Sequence, residues 1–334
     1  MRIAILGAGM MANLVMETIK ELGFSYVTVL GRKESEEKVK ALCRDNGLDG
    51  YFLDYEELLN SDVDIVYVAL PNHLHYEFAR KALMRGKHVI IEKPMAANEQ
   101  QFKDLARTAE IKGVMLFEAM NVHYLPAYRA LKEQLWQVGD LKIVSFNYSQ
   151  YSSRYDAFKN GQVLPAFDPM KAGGALMDLN VYNIHGIVGL FGKPWEVKYE
   201  ANIERGIDTS GILTLDYGDF KAVAIGAKDC RAPVRCTIQG TNGCFVIPKP
   251  ISQMEGYDLM LNDRGTVEYR TEDAKNRLYY EFMEFQRIIR EKDWEKEKEM
   301  LAISGIVSEI LEEARRQNGI FTRFPVMLPV ASGI

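Results

Sequence analysis

In its first 120 residues the chain alternates short apolar runs with stretches of helical periodicity, and few folds accommodate that order. The runs RIAILG, YVTVLG, VDIVYVAL, HVIIEKP and VMLFEA are rich in β-branched residues and bounded by Gly, Pro or Asn. Residues 10–22, 34–46, 74–85 and 98–112 between them carry apolar residues at helical spacing. Strands separated by helix-length segments pair in parallel through right-handed crossovers, with helices covering both faces of the sheet. The expected class is therefore α/β, opening with a doubly wound (Rossmann) parallel sheet over residues 1–121.

The first run leads into Gly7-x-Gly9-x-x-Ala12 at the start of the first helix. In a strand–turn–helix setting the first glycine allows the tight turn and the second lets pyrophosphate approach the backbone. The small third residue lets helix and strand pack closely. Gly7, Ala8, Gly9, Met10 and Met11 are thus expected at a dinucleotide, on the positive end of a helix. The second strand ends in Gly31, Arg32 and Lys33, where NAD-selective sites place a carboxylate for the ribose. A guanidinium suits a 2′-phosphate, which favours NADP over NAD. In the alternative, Arg32 and Lys33 form a solvated turn and Glu34 holds the ribose. ALPNHLH and IEKP follow later strands and so lie at the carboxyl edge of the sheet, where such folds bind ligands. This places Leu70, Pro71, Asn72, His75, Glu92 and Lys93 near the cofactor. Asn121 and His123, just past the last of these strands, are expected at the same cleft.

After residue 122 the rhythm changes. Helices near 126–138 and 173–190 flank the strands LKIVSFNYSQY, WEVKYEANI, SGILTLDYG and FKAVAIGAKD. DYGDF and GTNGC read as hairpin turns, the second through the Asn-Gly pair that type I′ turns favour. An α+β region over 122–334 with a large open, mainly antiparallel sheet is expected. The charge run REKDWEKEKE reads as a solvated helix start, and 297–318 as a last amphipathic helix, ended by Gly319, that packs back toward the first region.

In the helix near 173–190, Asp178, Tyr182 and His185 recur at intervals of four and three and would share one face. On its own such a stripe is the polar rim of an amphipathic helix. A sheet-edge lysine in the same chain makes it a candidate substrate wall.

A net charge of −5 and a pI near 5.7 give no electrostatic footprint for nucleic acid or an anionic membrane, and no apolar stretch is long enough to span a bilayer. The four cysteines show no CxxC spacing, so reduced thiols of a cytoplasmic protein are expected and a metal site is not.

The set Gly7-x-Gly9-x-x-Ala12, PNHLH, EKP and GGALMDLNVY, in this order, resembles the glucose–fructose oxidoreductase/inositol dehydrogenase family along essentially the whole chain. The resemblance implies a Rossmann domain followed by a substrate domain whose open sheet mediates dimer or tetramer formation. It implies Lys93, Asp178 and Tyr182 as catalytic residues, and the tyrosine matches the NADP-preferring branch that includes the dihydrodiol dehydrogenases. Two departures bear on the substrate: Asn180 replaces the usual glycine, and Pro165 stands where that branch often has arginine.

The chemistry so implied is hydride transfer between NAD(P) and a secondary alcohol or carbonyl of a polyol, sugar, cyclitol or diol. Tyr182 would carry the proton, Lys93 favour the phenolate and bind the substrate oxygen, and Asp178 position one of them. His185 is the reserve proton carrier, and Arg154 and Tyr155 are candidate substrate contacts. A non-catalytic dinucleotide sensor, or a reductase of a C=N or C=C bond, are the alternatives.

Overall fold

The computed structural model describes residues 1–272, 274–320 and 325–326. Six strands, β1 (Arg2–Leu6), β2 (Tyr26–Leu30), β3 (Gly50–Phe52), β4 (Ile65–Val68), β5 (His88–Glu92) and β6 (Leu116–Ala119), form a parallel sheet in the order β3-β2-β1-β4-β5-β6. That order reverses direction between β1 and β4, and doubly wound folds bind ligands at such a crevice. The strands are buried on both faces, as parallel strands under two helical layers must be. Helices α1 (Met10–Ile19), α2 (Glu36–Asn46), α3 (Tyr55–Leu59), α4 (His75–Met84) and α5 (Glu99–Lys112) supply the crossovers.

Helix α6 (Pro126–Gln134) leads into the second layer. Strand β7 (Leu141–Ser149), helices α7 (Tyr155–Lys159) and α8 (Val181–Phe191), and strands β8 (Glu196–Glu204), β9 (Ile207–Asp216), β10 (Lys221–Ala227), β11 (Cys236–Gly240), β12 (Gly243–Ile247), β13 (Gly256–Leu261) and β14 (Gly265–Arg270) follow. The eight strands order as β14-β13-β12-β11-β7-β10-β9-β8, antiparallel except for β7 against β10. One face buries Val144, Phe146, Leu213, Ala224 and Ile238 under α8, while Ile143, Ile212, Met260 and Val267 on other positions stay exposed.

Three details depart from the sequence reading. The GTNGC loop consists of Thr241 and Asn242, with Gly240 paired to Gly243. Neither loop residue has positive φ, so this is not the Asn-Gly type I′ turn; the only glycine there with unusual φ (159°) is Gly243, already in β12. Second, a helix absent from that reading, α9 (Arg277–Glu291), precedes α10 (Trp294–Gln317). Its Leu278, Phe282, Phe285 and Ile289 recur every three or four residues and pack on Ile5, Tyr67 and Phe117 of the parallel sheet. Third, the region after 122 is therefore not confined to the second sheet, because α9 completes a face of the first. Helix α10 returns as well: the Glu297 carboxylate accepts from the Leu116 amide at 3.2 Å. Residues 327–334, the end of the expected second region, lie outside the described residues. Among the described residues, no helix is long and apolar enough to cross a membrane.

Candidate active site

At the end of β1 the backbone turns through Gly7 at φ 109°, where a Cβ would stand 2.9 Å from the carbonyl oxygen of Ala69. Only glycine meets both conditions. Gly9 caps α1 with no side chain, and a Cβ there would meet nothing within 4 Å. Ala8, Gly9 and Met10 are exposed, Met11 is half-buried, and Ala12 is fully buried against the sheet. The first turn of α1 carries no acidic residue, so its positive end is uncompensated. These residues fit a pyrophosphate. Arg32, Lys33 and Glu34 are exposed beyond β2, past a Gly31 whose Cβ would collide with Val39 at 2.1 Å.

At the next two strand ends the expectations separate. Pro71 is exposed and Leu70 half-buried at the edge, while the Asn72 amide donates to the carbonyl of Ala172 at 3.0 Å. His75 is not presented to a cofactor: its ring is fully buried, with Nδ1 2.9 Å from the Pro94 carbonyl and Nε2 2.7 Å from that of Leu70. Burial lowers its pKa against the pull of the two carbonyls, and the ring bridges the two edge loops. Glu92 is likewise turned inward and accepts from the Tyr67 hydroxyl, and burial raises its carboxyl despite that bond. The buried amide of Asn121 donates to the carbonyl of Ser252 at 2.7 Å, tying the two sheets together rather than facing the cleft.

Lys93 does reach across. Its Nζ donates to the Asp178 carbonyl at 2.7 Å and to Oδ1 of the same residue at 3.2 Å, and lies 4.5 Å from the centre of the Tyr182 ring. The partners stand on a π-helical turn, Leu176–Asn180, that runs into α8. Such insertions recur at functional sites, and the wider turn shifts every residue after it on the helix surface. Asp178 keeps 36% of its side chain accessible, whereas Tyr182 is largely buried and His185 wholly so. The single polar face expected from sequence is thus divided.

A second lysine completes this cluster. Lys228, just past β10 and 2% exposed, donates to Asp178 Oδ2 at 2.7 Å and to the Ala166 carbonyl at 2.7 Å. Burial alone would raise the Asp178 carboxyl, but the two ammonium groups outweigh it and hold the group well below the usual carboxylate range. Burial works against charge on Lys93 too, yet Tyr182, Asp178 and Glu92 keep it above an ordinary lysine. Burial lowers Lys228, against the pull of Asp178. Sequence offered only a lysine at the end of FKAVAIGAKD, with nothing to pair it with Asp178.

Arg277, the first residue of α9, was also missed. It stands at the start of a helix packed on the parallel sheet, and the negative groups around it keep its guanidinium above an ordinary arginine against the effect of burial. The remaining candidates lie elsewhere. His185 Nε2 is 3.3 Å from Glu118 Oε2 and its Nδ1 is 3.1 Å from His123 Nε2, a fully buried set directed between the layers. Burial and His185 push His123 well below an ordinary histidine. The Tyr155 hydroxyl donates to Glu204 at 2.6 Å, its ring packs on Phe158 and Phe167, and Arg154 is exposed. Asn180 does not border the cleft. Its buried amide donates to Ala224 on β10 at 3.0 Å, and its Cβ occupies the space a side chain at Gly226 would need. Pro165 is exposed at the start of a short 3-10 turn.

Comparison with known proteins matches both parts of the chain. Residues 1–120 match an oxidoreductase family with an NAD-binding Rossmann fold, and 128–246 match the GFO/IDH/MocA C-terminal domain. The chain is 35% identical to scyllo-inositol 2-dehydrogenase (NADP(+)) IolU of Bacillus subtilis, over 96% of this chain and 97% of that one. It is 27% identical to trans-1,2-dihydrobenzene-1,2-diol dehydrogenase of Mus musculus, over 96% and 97%. A 3-ketoreductase from Actinomadura kijaniata, solved with NADP and TDP-benzene, superposes with a TM-score of 0.79 at 20% identity, covering 93% and 96%.

Proposed function

Since the chain belongs to the GFO/IDH/MocA oxidoreductase family, we propose that it is an NADP-dependent dehydrogenase of a secondary alcohol on a cyclitol, sugar or diol. The observation that carries this reading is the meeting of Lys93, from the edge of one sheet, with Asp178 and Tyr182, from a helix on the other. The names of the relatives point to the same substrate class: an inositol dehydrogenase, dihydrodiol dehydrogenases and a levoglucosan dehydrogenase.

Gly7–Ala12 would hold the nicotinamide cofactor, whose chemistry there would be hydride transfer. The protein's part is to place the carbinol and manage one proton. Lys93 has two donor contacts to Asp178, which leaves one N–H for the substrate oxygen. Asp178, held by Lys228 on its other oxygen, fixes that ammonium in place. Tyr182 takes the hydroxyl proton onto its phenolate oxygen in oxidation and returns it from the phenol in reduction. Arg32 is assigned to the 2′-phosphate, and the uncovered sheet face bearing Ile143, Ile212, Met260 and Val267 to a second copy of the chain.

The direct test is NADPH formation with scyllo-inositol, levoglucosan and trans-1,2-dihydrobenzene-1,2-diol, each also offered with NAD. Turnover of at least one with NADP is expected. Tight NADPH binding with no turnover across the panel would favour the sensor reading. Arg32→Ala should weaken NADPH by about 10- to 100-fold, the size of a charge-assisted contact to phosphate, and NADH hardly at all. Equal losses in fluorescence titrations would defeat the 2′-phosphate assignment.

A further inference from the structure

We propose that Lys228 is a positioning residue of the Lys93 ammonium: by holding Asp178 Oδ2 on one side and the Ala166 carbonyl on the other, it stops the carboxylate from closing on Lys93 with both oxygens. The proposal rests on the roles given to Lys93 and Asp178 above and adds what sets the orientation of the carboxylate. Asp178 is shared unequally. Lys228 lies 2.7 Å from Oδ2, whereas Lys93 lies 3.2 Å from Oδ1 and 2.7 Å from the main-chain carbonyl of the same residue. Among the described residues, no other cation pairs with Asp178. An Oδ2 released from Lys228 would therefore turn to Lys93 and take the N–H left for the substrate oxygen.

Lys228 itself has nothing to offer a ligand. Its side chain is 2% exposed, and its ammonium is enclosed by Asp178, the Ala166 carbonyl and the face of Phe167, whose ring centre is 4.6 Å away. Phe167 is fully buried and stacks on Phe158. The backbone is fixed as well: the Lys228 amide donates to the Thr209 carbonyl at 2.8 Å, and the Lys228 carbonyl accepts from the Ser152 amide at 2.8 Å. A buried ion pair is often no more stabilising than apolar residues of the same size, which leaves the orientation of the carboxylate as its effect.

The contact with Ala166 joins this pair to the chain that leads into the π turn. The Ala166 carbonyl also accepts from the Gly174 amide at 3.1 Å, so residues 166–174 form a closed loop that ends two residues before Leu176. The two ends of the loop are in contact, since a Cβ at Gly173 would stand 2.7 Å from the Pro165 carbonyl oxygen. Asn72, past β4, holds the loop through the Ala172 carbonyl at 3.0 Å. Lys228 thus ties Asp178 to a loop that reaches the edge of the parallel sheet, and the position of Lys93 follows that loop.

The test measures kcat and KM of Lys228→Met, Asp178→Asn and the double variant, with NADP and the best substrate of the panel. Methionine keeps an unbranched stem and leaves Asp178 paired with Lys93, so no buried anion is stranded. Lys228→Met should lower kcat by about 10- to 100-fold, the cost of misplacing a reacting group by about an ångström, with KM within about threefold of the wild type. The double variant should be no slower than Asp178→Asn by more than about threefold, because Lys228 acts only through that carboxylate. An unchanged kcat, or losses that multiply, would make Lys228 a support of the cleft wall and overturn the proposal. A second measurement needs no substrate. In NMR spectra of nitrogen-labelled lysine, with the Lys93 ammonium signal identified by its loss in Lys93→Met, Lys228→Met should move that signal in the wild-type background and leave it in place in the Asp178→Asn background. If no panel compound turns over but the signal behaves in this way, the substrate assignment fails and the positioning stands. A signal that Lys228→Met does not move overturns the positioning whatever the activity. Should Lys228→Met not fold, Asp178→Asn alone supplies the reading: it should shift the Lys93 signal and a second buried ammonium together, and a shift of Lys93 alone would overturn the proposal.

Discussion

Lys93→Met should lower kcat by about 1000-fold and leave NADPH affinity within about twofold of the wild type. The size is that of removing one fixed donor aimed at a developing oxyanion in a water-poor site. The side chain is 13% exposed, so solvent does not replace the lost charge. Methionine fills the same channel with an unbranched stem, and the Asp178 carboxylate keeps Lys228 as a counter-charge, so the fold has no uncompensated buried anion to relieve. The cofactor turn at Gly7–Ala12 lies on a different strand end, which is why binding should survive. NADPH fluorescence titration and initial rates separate the two quantities. Turnover within about tenfold of wild type would remove Lys93 from the mechanism.

Tyr182→Phe should cost a similar factor, within the roughly 100- to 10,000-fold range of a single general acid–base group. This change deletes one oxygen and keeps the ring, whose neighbours are Tyr148 at 6.1 Å and the Lys93 ammonium. The loss should appear in kcat with KM little changed, because the proton moves only as the reaction proceeds. Near-normal kcat would transfer the proton to another group. His185 is poorly placed to inherit it, since its ring is buried against Glu118 and His123.

The parallel sheet and the cofactor turn were legible in the sequence because each rests on a local signal. Strand–helix alternation and two glycines need only their neighbours to be read. Lys93, Asp178 and Tyr182 were legible through their place at a strand end and on a helix, with family resemblance joining them. What escaped depended on long-range packing. Lys228 is 50 residues from Asp178, and no pattern around it announces a buried cation. Arg277 sits on a helix whose amphipathic row was readable, but its place near the cluster depends on α9 crossing back onto the first sheet. His75, Asn121 and His185 were misplaced for one shared reason. Near a cleft, polar side chains satisfy buried backbone or one another as readily as they face a ligand, and spacing does not distinguish the two. The π turn added a further displacement that an ideal helical period cannot anticipate.

The most direct test of a single centre built across both sheets is kcat of the double variant Lys93→Met/Tyr182→Phe beside the two single variants, with the best substrate of the panel. Residues that act as one unit lose their joint contribution once, so the double variant should be no slower than the worse single variant by more than about threefold. Losses that multiply, to about a million-fold, would mean that the ammonium and the phenol act independently, and the account would be wrong.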